Sequence, residues 1–304
     1  MRKRISAALA CLAVGVIGLT SSANAAPVTW NIVSSASSIS LAIPNQTLTI
    51  TSSSSIASGL IGTSLTISLR ALNPGTGSAS TPTGWTIGNK QNVQGTIETD
   101  TDFTSSIQFL TGSNIEGIDS GSYAPLADGS AGTAPADFGT RIYAGAGALL
   151  GGLNLDMAIR NVLYEVVSGA IGIGGGGSFA ASGTDFGLDN ADLAYRGRNG
   201  FGLGGSTFVG LIGSGTAGIG GLSTDNSAGA GSVVVVGPNA TLTLPITQTL
   251  AVPLDSDGLL VFKLNVAGTL VATAVVPEPA TMGMMALGLA MLAPAAVRRW
   301  KKRS

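Results

Sequence analysis

Apolar residues alternate with Ser, Thr and other polar residues in several separate stretches, and this period of two constrains the fold more than any other feature. Successive side chains of a β-strand point to opposite faces, so each stretch predicts a strand with one buried and one wet face. The clearest apolar sets are Ile39/Leu41/Ile43, Leu65/Ile67/Leu69, Leu153/Leu155/Met157/Ile159, Leu242/Leu244/Ile246 and Leu260/Phe262/Leu264/Val266. Helical periodicity is scarce, and only 144–153 competes as a short helix. The pattern predicts an all-β chain built on antiparallel pairing.

Local departures from the alternation predict where strands bend or end. The apolar set changes phase near Arg160 and Asn161, which predicts a β-bulge, while Asp156 and Arg160 themselves fall on the predicted wet face. Residues 255–258 predict a hairpin turn before a strand at 259–266, and Gly268-Thr269 predicts a turn before a last strand at 270–275. With Gly-rich loops, above all in 169–231, these signals predict a single antiparallel β-sandwich or open barrel over 26–275.

The N-terminus has the three parts of a secretory signal peptide. Arg2, Lys3 and Arg4 precede an apolar run at 5–19, and Ala23-Asn24-Ala25 fits the small-residue cleavage pattern. The run is shorter than the roughly 20 residues that a membrane anchor needs. We expect residues 1–25 to form a signal helix that signal peptidase removes between Ala25 and Ala26.

The two ends of the chain hold eight of its 15 basic residues, which changes the meaning of the overall net charge of −1. Seven basic residues and 15 of the 16 acidic residues lie between the ends, so the exported region carries about seven minus 15, or −8. An acidic surface repels phosphate backbones, and we therefore expect no nucleic-acid partner.

The residue types that several catalytic and metal sites require are missing. The chain has no histidine, and its one cysteine, Cys11, lies in the predicted signal peptide. A Ser-His-Asp triad, a cysteine nucleophile and a Cys/His zinc site are thereby excluded from the exported region. A Ser-Lys pair would need Lys90 or Lys263, and Lys263 falls on a wet strand face. We expect a protein without enzymatic activity, metal or cofactor.

Two groups of oxygen-bearing side chains leave calcium binding open as an alternative, because carboxylates suit that ion. They are Glu98/Asp100/Asp102 and Asp185/Asp189/Asn190/Asp192. A row of like charges on a strand also has the simpler role of preventing edge-to-edge aggregation. Two G-x-G-x-x-G patterns, at Gly172/Gly174/Gly177 and Gly213/Gly215/Gly218, are followed by Gly/Ser-rich sequence rather than a helix. The dinucleotide interpretation of that pattern requires a helix, so we do not expect it here.

The C-terminus, residues 276–304, contains three parts in a fixed order. Pro277-Glu278-Pro279 cannot continue a strand or helix, which predicts an extended linker. Residues 280–297 are 18 uncharged residues, just long enough to predict a transmembrane helix. The basic cluster that follows favours a cytoplasmic end and comprises Arg298, Arg299, Lys301, Lys302 and Arg303.

This ordered combination resembles the PEP-CTERM sorting signal. The resemblance implies that Pro277, Glu278 and Pro279 are recognised by an exosortase, a membrane-embedded enzyme that cuts near them. It also implies that the protein is exported, anchored in the inner membrane before processing, and then located at the cell surface or outside it. Association with exopolysaccharide in a biofilm follows from the same resemblance. We predict a non-enzymatic surface or extracellular-matrix protein; the alternative is a secreted carbohydrate- or calcium-dependent binding module.

Overall fold

The computed structural model describes residues 27–51, 64–72, 90–145, 152–199, 201–203, 206–208, 215–253 and 261–276. In these ranges the chain forms 21 strands, one short 3-10 helix (Ala181–Gly183) and no α-helix. The strands of the first half are β1 (Val28–Ile32), β2 (Ser38–Ala42), β3 (Gln46–Thr51), β4 (Ser64–Leu72), β5 (Lys90–Thr101), β6 (Ser106–Phe109), β7 (Asn114–Gly117), β8 (Gly121–Tyr123), β9 (Ala134–Ala136) and β10 (Phe138–Gly145). The second half adds β11 (Gly152–Ser168), β12 (Ile171–Gly172), β13 (Ser178–Ala180), β14 (Thr184–Asn199), β15 (Phe201–Leu203), β16 (Ser206–Phe208), β17 (Gly215–Gly218), β18 (Leu222–Asp225), β19 (Ala230–Val236), β20 (Asn239–Pro253) and β21 (Val261–Val275).

Seventeen of these strands form one sheet, while β8–β9 and β15–β16 form two separate pairs. The ladders that join them are antiparallel, which confirms the all-β, antiparallel class predicted from the alternation. None of the described segments is a helix with the length and hydropathy needed to cross a bilayer. The predicted signal helix (1–25) and transmembrane helix (280–297) lie outside the described residues.

The pairing of β20 with β21 bears on two predicted turns and shows that one of them is wrong. The two strands pair from Pro253↔Val261 to Asn239↔Val275, as expected for strands on either side of the predicted 255–258 turn, which itself lies outside the described residues. The turn predicted at Gly268 is wrong, because β21 continues through it without a break. A Cβ at Gly268 would lie 2.3 Å from the backbone oxygen of Ser38, so this glycine permits close approach of β2.

The predicted bulge in β11 is confirmed. The register with β14 slips between Arg160 and Leu163, and Asn161 adopts a left-handed backbone with φ +54°. The prediction that Asp156 and Arg160 face water is wrong, since they are only 6% and 8% exposed. Part of the 119–137 segment packs against this side of the sheet, where β9 contacts β11 and β8 contacts β10.

The sheet curls back on itself. Six strands separate β18 from β20 along the ladder, namely β14, β11, β7, β5, β1 and β21. Asn226, just after β18, nevertheless binds β20: its Nδ2 donates to the Pro245 oxygen at 2.8 Å, and its Oδ1 accepts from the Thr247 N–H at 2.9 Å. The enclosed apolar side chains, from Trp30 to Ala274, form one buried cluster.

Candidate functional site

The last described residues lie at the turn between β19 and β20. Val275 pairs with Asn239, and the Val276 N–H donates to the Pro238 oxygen at 2.8 Å. The predicted sorting residues Pro277, Glu278 and Pro279 therefore begin directly at the edge of the folded domain. They lie outside the described residues, as do Ala23, Ala25, Ala26, Arg298, Arg299, Lys301, Lys302 and Arg303.

Exposed valines surround this exit from the domain. Val236 and Val275 are 72% and 71% exposed, and Val234 is 48% exposed. Val236 and Val275 are both cross-strand partners of Asn239, so the two side chains project from the same, outward face of the sheet. Val234 lies two residues before Val236 on the same face. We call Val234, Val236 and Val275 the valine patch.

A buried polar network joins β5, β11 and the residue that precedes β10. The Tyr164 hydroxyl donates to Gln91 Oε1 at 3.1 Å, and Gln91 Nε2 donates to Asp137 Oδ1 at 2.5 Å. The other carboxylate oxygen of Asp137 accepts from the Val162 N–H at 2.9 Å. A Cβ at Gly117 would fall 1.8 Å from Gln91 Nε2, so a glycine there leaves room for the network.

Arg160 is buried beside this network, on the face that the 119–137 segment covers. Its Nε donates to the Pro135 oxygen at 3.0 Å, and its Nη2 donates to the Pro125 oxygen at 2.8 Å and the Tyr123 oxygen at 3.3 Å. Burial lowers the pKa of Arg160, and the negative charges of Asp119 and Asp137 oppose that shift. The guanidinium therefore fastens the covering segment to β11.

Burial raises the pKa of the Asp137 carboxyl, against the hydrogen bond from the Val162 N–H, which lowers it. The negative charge of Asp119 adds to the rise, while Gln91 and Arg160 counteract it. Burial likewise raises the pKa of Tyr164, and the charge of Asp137 acts in the same direction. The Asp137 carboxylate thus links β5 to β11 through Gln91 and Val162.

Replacing Asp137 with asparagine tests this electrostatic reasoning. An asparagine at position 137 can keep the bonds to Val162 and Gln91. Its amide oxygen accepts from the Val162 N–H, and its amide nitrogen donates to Gln91 Oε1 if the Gln91 amide turns over. An acid whose pKa is raised in the folded state stabilises the fold at low pH and loses that contribution as pH rises through the raised value. We expect the stability of Asp137→Asn relative to the native chain to increase as pH rises above 3.8, by about 1.4 kcal/mol for each unit of the shift.

Chemical unfolding of both chains between pH 4 and pH 8 measures this difference. Asp128→Asn is the matched control, because Ser130 hydrogen bonds lower the pKa of this exposed carboxyl. Its contribution has the opposite sign and is lost only as pH falls below 3.8, so the difference between Asp128→Asn and the native chain should stay nearly constant between pH 4 and pH 8. A constant difference between Asp137→Asn and the native chain across this range would contradict the assignment.

The two carboxylate groups that left calcium binding open as an alternative contain residues that bind other protein groups. Asp102 accepts hydrogen bonds from the Ser105 hydroxyl and from the N–H groups of Ser105, Thr104 and Ser106, which lower its pKa. Asp192 accepts from Asn161 Nδ2 at 2.6 Å. Within the described ranges, no three His, Cys, Asp or Glu side chains are grouped as a metal site would require.

Asp185 instead pairs across strands with Asp225, a contact that the sequence did not suggest. Burial raises the pKa of Asp185, and the hydrogen bond and negative charge of Asp225 raise it further. The two residues are far apart in the chain, so no local pattern could have linked them. The raised pKa means that Asp185 holds its proton to a higher pH than an isolated aspartate does.

Most aromatic rings of known burial lie in the core rather than on a sugar-binding surface. Those no more than 8% exposed are Trp30, Phe103, Phe109, Phe138, Tyr164, Phe179, Phe186 and Phe262. Tyr123 and Tyr195 are half-buried. The glycine pattern that begins at Gly172 leads into a tight turn, where the Gly174 N–H donates to the Ser178 oxygen at 2.7 Å, and then into β13. A strand follows that pattern, in the place where dinucleotide binding needs a helix.

Comparison with known families identifies the class of the C-terminus. Residues 275–302 match the PEP-CTERM protein-sorting motif, which begins at the last paired residue of β21. The match confirms the resemblance of the C-terminus, and a signal of this kind implies export, anchoring at the membrane before cleavage and processing by an exosortase. A search of curated proteins and of solved structures found no match to the chain.

Proposed function

We propose that this protein is a non-enzymatic component of the cell surface or extracellular matrix, delivered there by its C-terminal signal. The observation that carries the proposal is the sorting motif at 275–302, which starts where β21 ends. We further infer that the exported region is an open barrel, because Asn226 joins β18 to β20 across the curled sheet. Such a domain suits a structural component that its C-terminal tail attaches to the cell surface.

The chemistry of the domain supports a structural role. The sequence has no histidine, and its one cysteine precedes the predicted cleavage site. The buried carboxylate of Asp137 is held by Gln91 and Val162, so its acceptor atoms serve the fold. With the described aromatic rings mostly in the core, a carbohydrate- or calcium-binding module has less support than a structural protein.

The proposed route has three stages. Signal peptidase first cuts between Ala25 and Ala26, and the domain folds outside the inner membrane. The apolar segment 280–297 and its basic end then hold the protein in that membrane. An exosortase finally recognises Pro277, Glu278 and Pro279, and the product passes to the cell surface, where exopolysaccharide is the proposed partner.

Replacing Glu278 with alanine is expected to leave full-length protein in the membrane fraction. The reason is that the glutamate is the one charged group in the proposed recognition tripeptide. Fractionation of cells that contain an exosortase, followed by mass spectrometry of the C-terminus, measures the outcome. The native chain is expected to lack residues 280–304 in its mature form.

Asp100→Ala is the matched control, because it removes an exposed carboxylate from the domain and leaves the tail intact. It should mature as the native chain does. Native mature protein that still contains residues 280–304 would refute sorting by cleavage. A pull-down of the released protein with exopolysaccharide from the same cells tests the proposed partner separately.

A further inference from the structure

The distance between the folded domain and the membrane is set by a very short tether. The last described residue, Val276, is bound to the Pro238 oxygen, and the uncharged segment begins at Ala280. Four peptide units join these two residues, and fully extended they reach at most about 14 Å. The headgroup layer on one side of a bilayer occupies roughly 5–8 Å of that reach. Anchoring by the tail therefore brings this end of the domain to the lipid surface.

The valine patch lies at the end of the domain that the tether brings down. Val275 is the neighbour of Val276, and Val236 is two strands away, about 10 Å at the usual strand spacing. All three valines of the patch project outward, and they are 48–72% exposed. The side of the domain that the tether holds close to the lipid therefore exposes apolar side chains toward the membrane.

The residues between the valines carry no charge. Asn239 separates Val236 from Val275, and Thr241 and Thr273 form the next row with Val234. Since the exported region as a whole carries about −8, attraction by charge would not turn it toward an anionic lipid surface. A surface on which apolar side chains lie among hydroxyl and amide groups suits the boundary between lipid headgroups and acyl chains.

We propose that the valine patch rests on the outer surface of the membrane while the tail anchors the protein, and so fixes the orientation of the domain before cleavage. The occupant is the lipid surface itself, and the inference rests on the anchoring role proposed above for the tail. In this orientation Pro277, Glu278 and Pro279 stay at the level of the headgroups, where a membrane-embedded enzyme can reach them.

Single-cysteine labelling of the tail-bearing protein tests the proposal. The full chain with Cys11→Ser is produced in cells that lack an exosortase and reconstituted into vesicles of phosphatidylethanolamine and phosphatidylglycerol. A polarity-sensitive fluorophore is attached at Val236→Cys, Val275→Cys or Val261→Cys. Val261 is the matched control, because it is an exposed valine of the same strand about 45 Å from Val275.

The labels at positions 236 and 275 are expected to shift to the blue in vesicles. Nitroxide lipids should quench them about twofold or more relative to the label at 261, because a docked apolar surface enters the headgroup boundary. Adding Val236→Asp should return the label at 275 toward its value in water. All positions are exposed, and circular dichroism checks that each variant retains its β-structure.

Three results would overturn the proposal, and they are distinguishable. Labels at 236 and 275 that behave like the label at 261, in protein that sediments with the vesicles, would refute docking and leave anchoring intact. Protein that remains in the supernatant would refute anchoring and docking together. A blue shift without quenching by nitroxide lipids would mean that a second copy of the chain covers the patch.

Discussion

Replacing Trp30 with alanine is expected to lower the free energy of unfolding by about 3–5 kcal/mol. The side chain has no exposed surface and contacts the Phe103 ring at 5.6 Å between centroids. Its Nε1 also donates to Thr99 Oγ1 at 2.7 Å, which ties β1 to β5 through a buried hydrogen bond. Alanine therefore leaves both a cavity and an unpaired buried hydroxyl, and each is costly.

Trp30→Phe separates these two effects. Phenylalanine retains most of the apolar volume but cannot donate to Thr99, so a smaller loss of about 1–3 kcal/mol is expected. Val275→Ala, at a 71% exposed position, is the control and should change stability by less than about 0.5 kcal/mol. Urea unfolding measures the stability of all three variants. It is followed by circular dichroism, because tryptophan fluorescence would change with the substitutions at position 30. Equal stability of Trp30→Ala and the native chain would contradict the assigned place of Trp30 in the core.

Replacing Arg160 with methionine is expected to lower the free energy of unfolding by about 2–6 kcal/mol, at roughly 1–3 kcal/mol for each of two covered backbone oxygens that lose their donor. Methionine replaces the apolar stem of arginine but donates no hydrogen bond, so the backbone oxygens of Pro125 and Pro135 lose their charged donor while still covered. The 119–137 segment then loses these bonds and is held to β11 by packing and by the bonds of Asp137 to Val162 and Ile159. Loss of stability should be accompanied by faster hydrogen exchange in that segment.

Arg160→Lys distinguishes charge from geometry. A lysine retains the positive charge near Asp119 and Asp137, but its single ammonium group cannot reproduce the fork that reaches both proline carbonyls. It should recover only part of the stability. Lys263→Met removes a cation from an exposed position and should be close to neutral. An equally large effect of Lys263→Met would show that net charge, rather than the buried contacts, determines the result.

The sequence predicts the parts of this fold that depend on residues close together in the chain. The alternation at Leu242, Leu244 and Ile246 gives a strand whose apolar face is buried, and the phase change near Arg160 marks a real bulge. The sorting motif of the tail could also be recognised from the sequence, because proline chemistry, apolar length and basic charge depend on neighbouring residues. These features need no knowledge of what packs against them.

The predictions that failed, or were not possible, depend on distant segments. Asp156 and Arg160 alternate with apolar residues as a wet face would, but Arg141 pairs with Asp156 at 2.8 Å and the 119–137 segment covers Arg160. Gly268 resembles a turn residue, and only the position of Ser38, more than 200 residues earlier, shows why a side chain is excluded. The hydrogen-bond partners of the Asp137 carboxylate, Gln91 and Val162, come from two separate parts of the chain. A lone acid next to Phe138 was the one local hint of a buried carboxylate.

The position of the tail at the end of β21 has a mechanical consequence. This strand lies inside the sheet, paired with β20 along its whole length and with β1 and β2 on its other side. A pull on the C-terminus acts along the strand, at right angles to the ladder hydrogen bonds. Many of these bonds must then fail together, since they are loaded in shear rather than peeled apart in sequence. A protein attached to a surface by this end would resist tension, for example from flowing water, better than one attached through an edge strand.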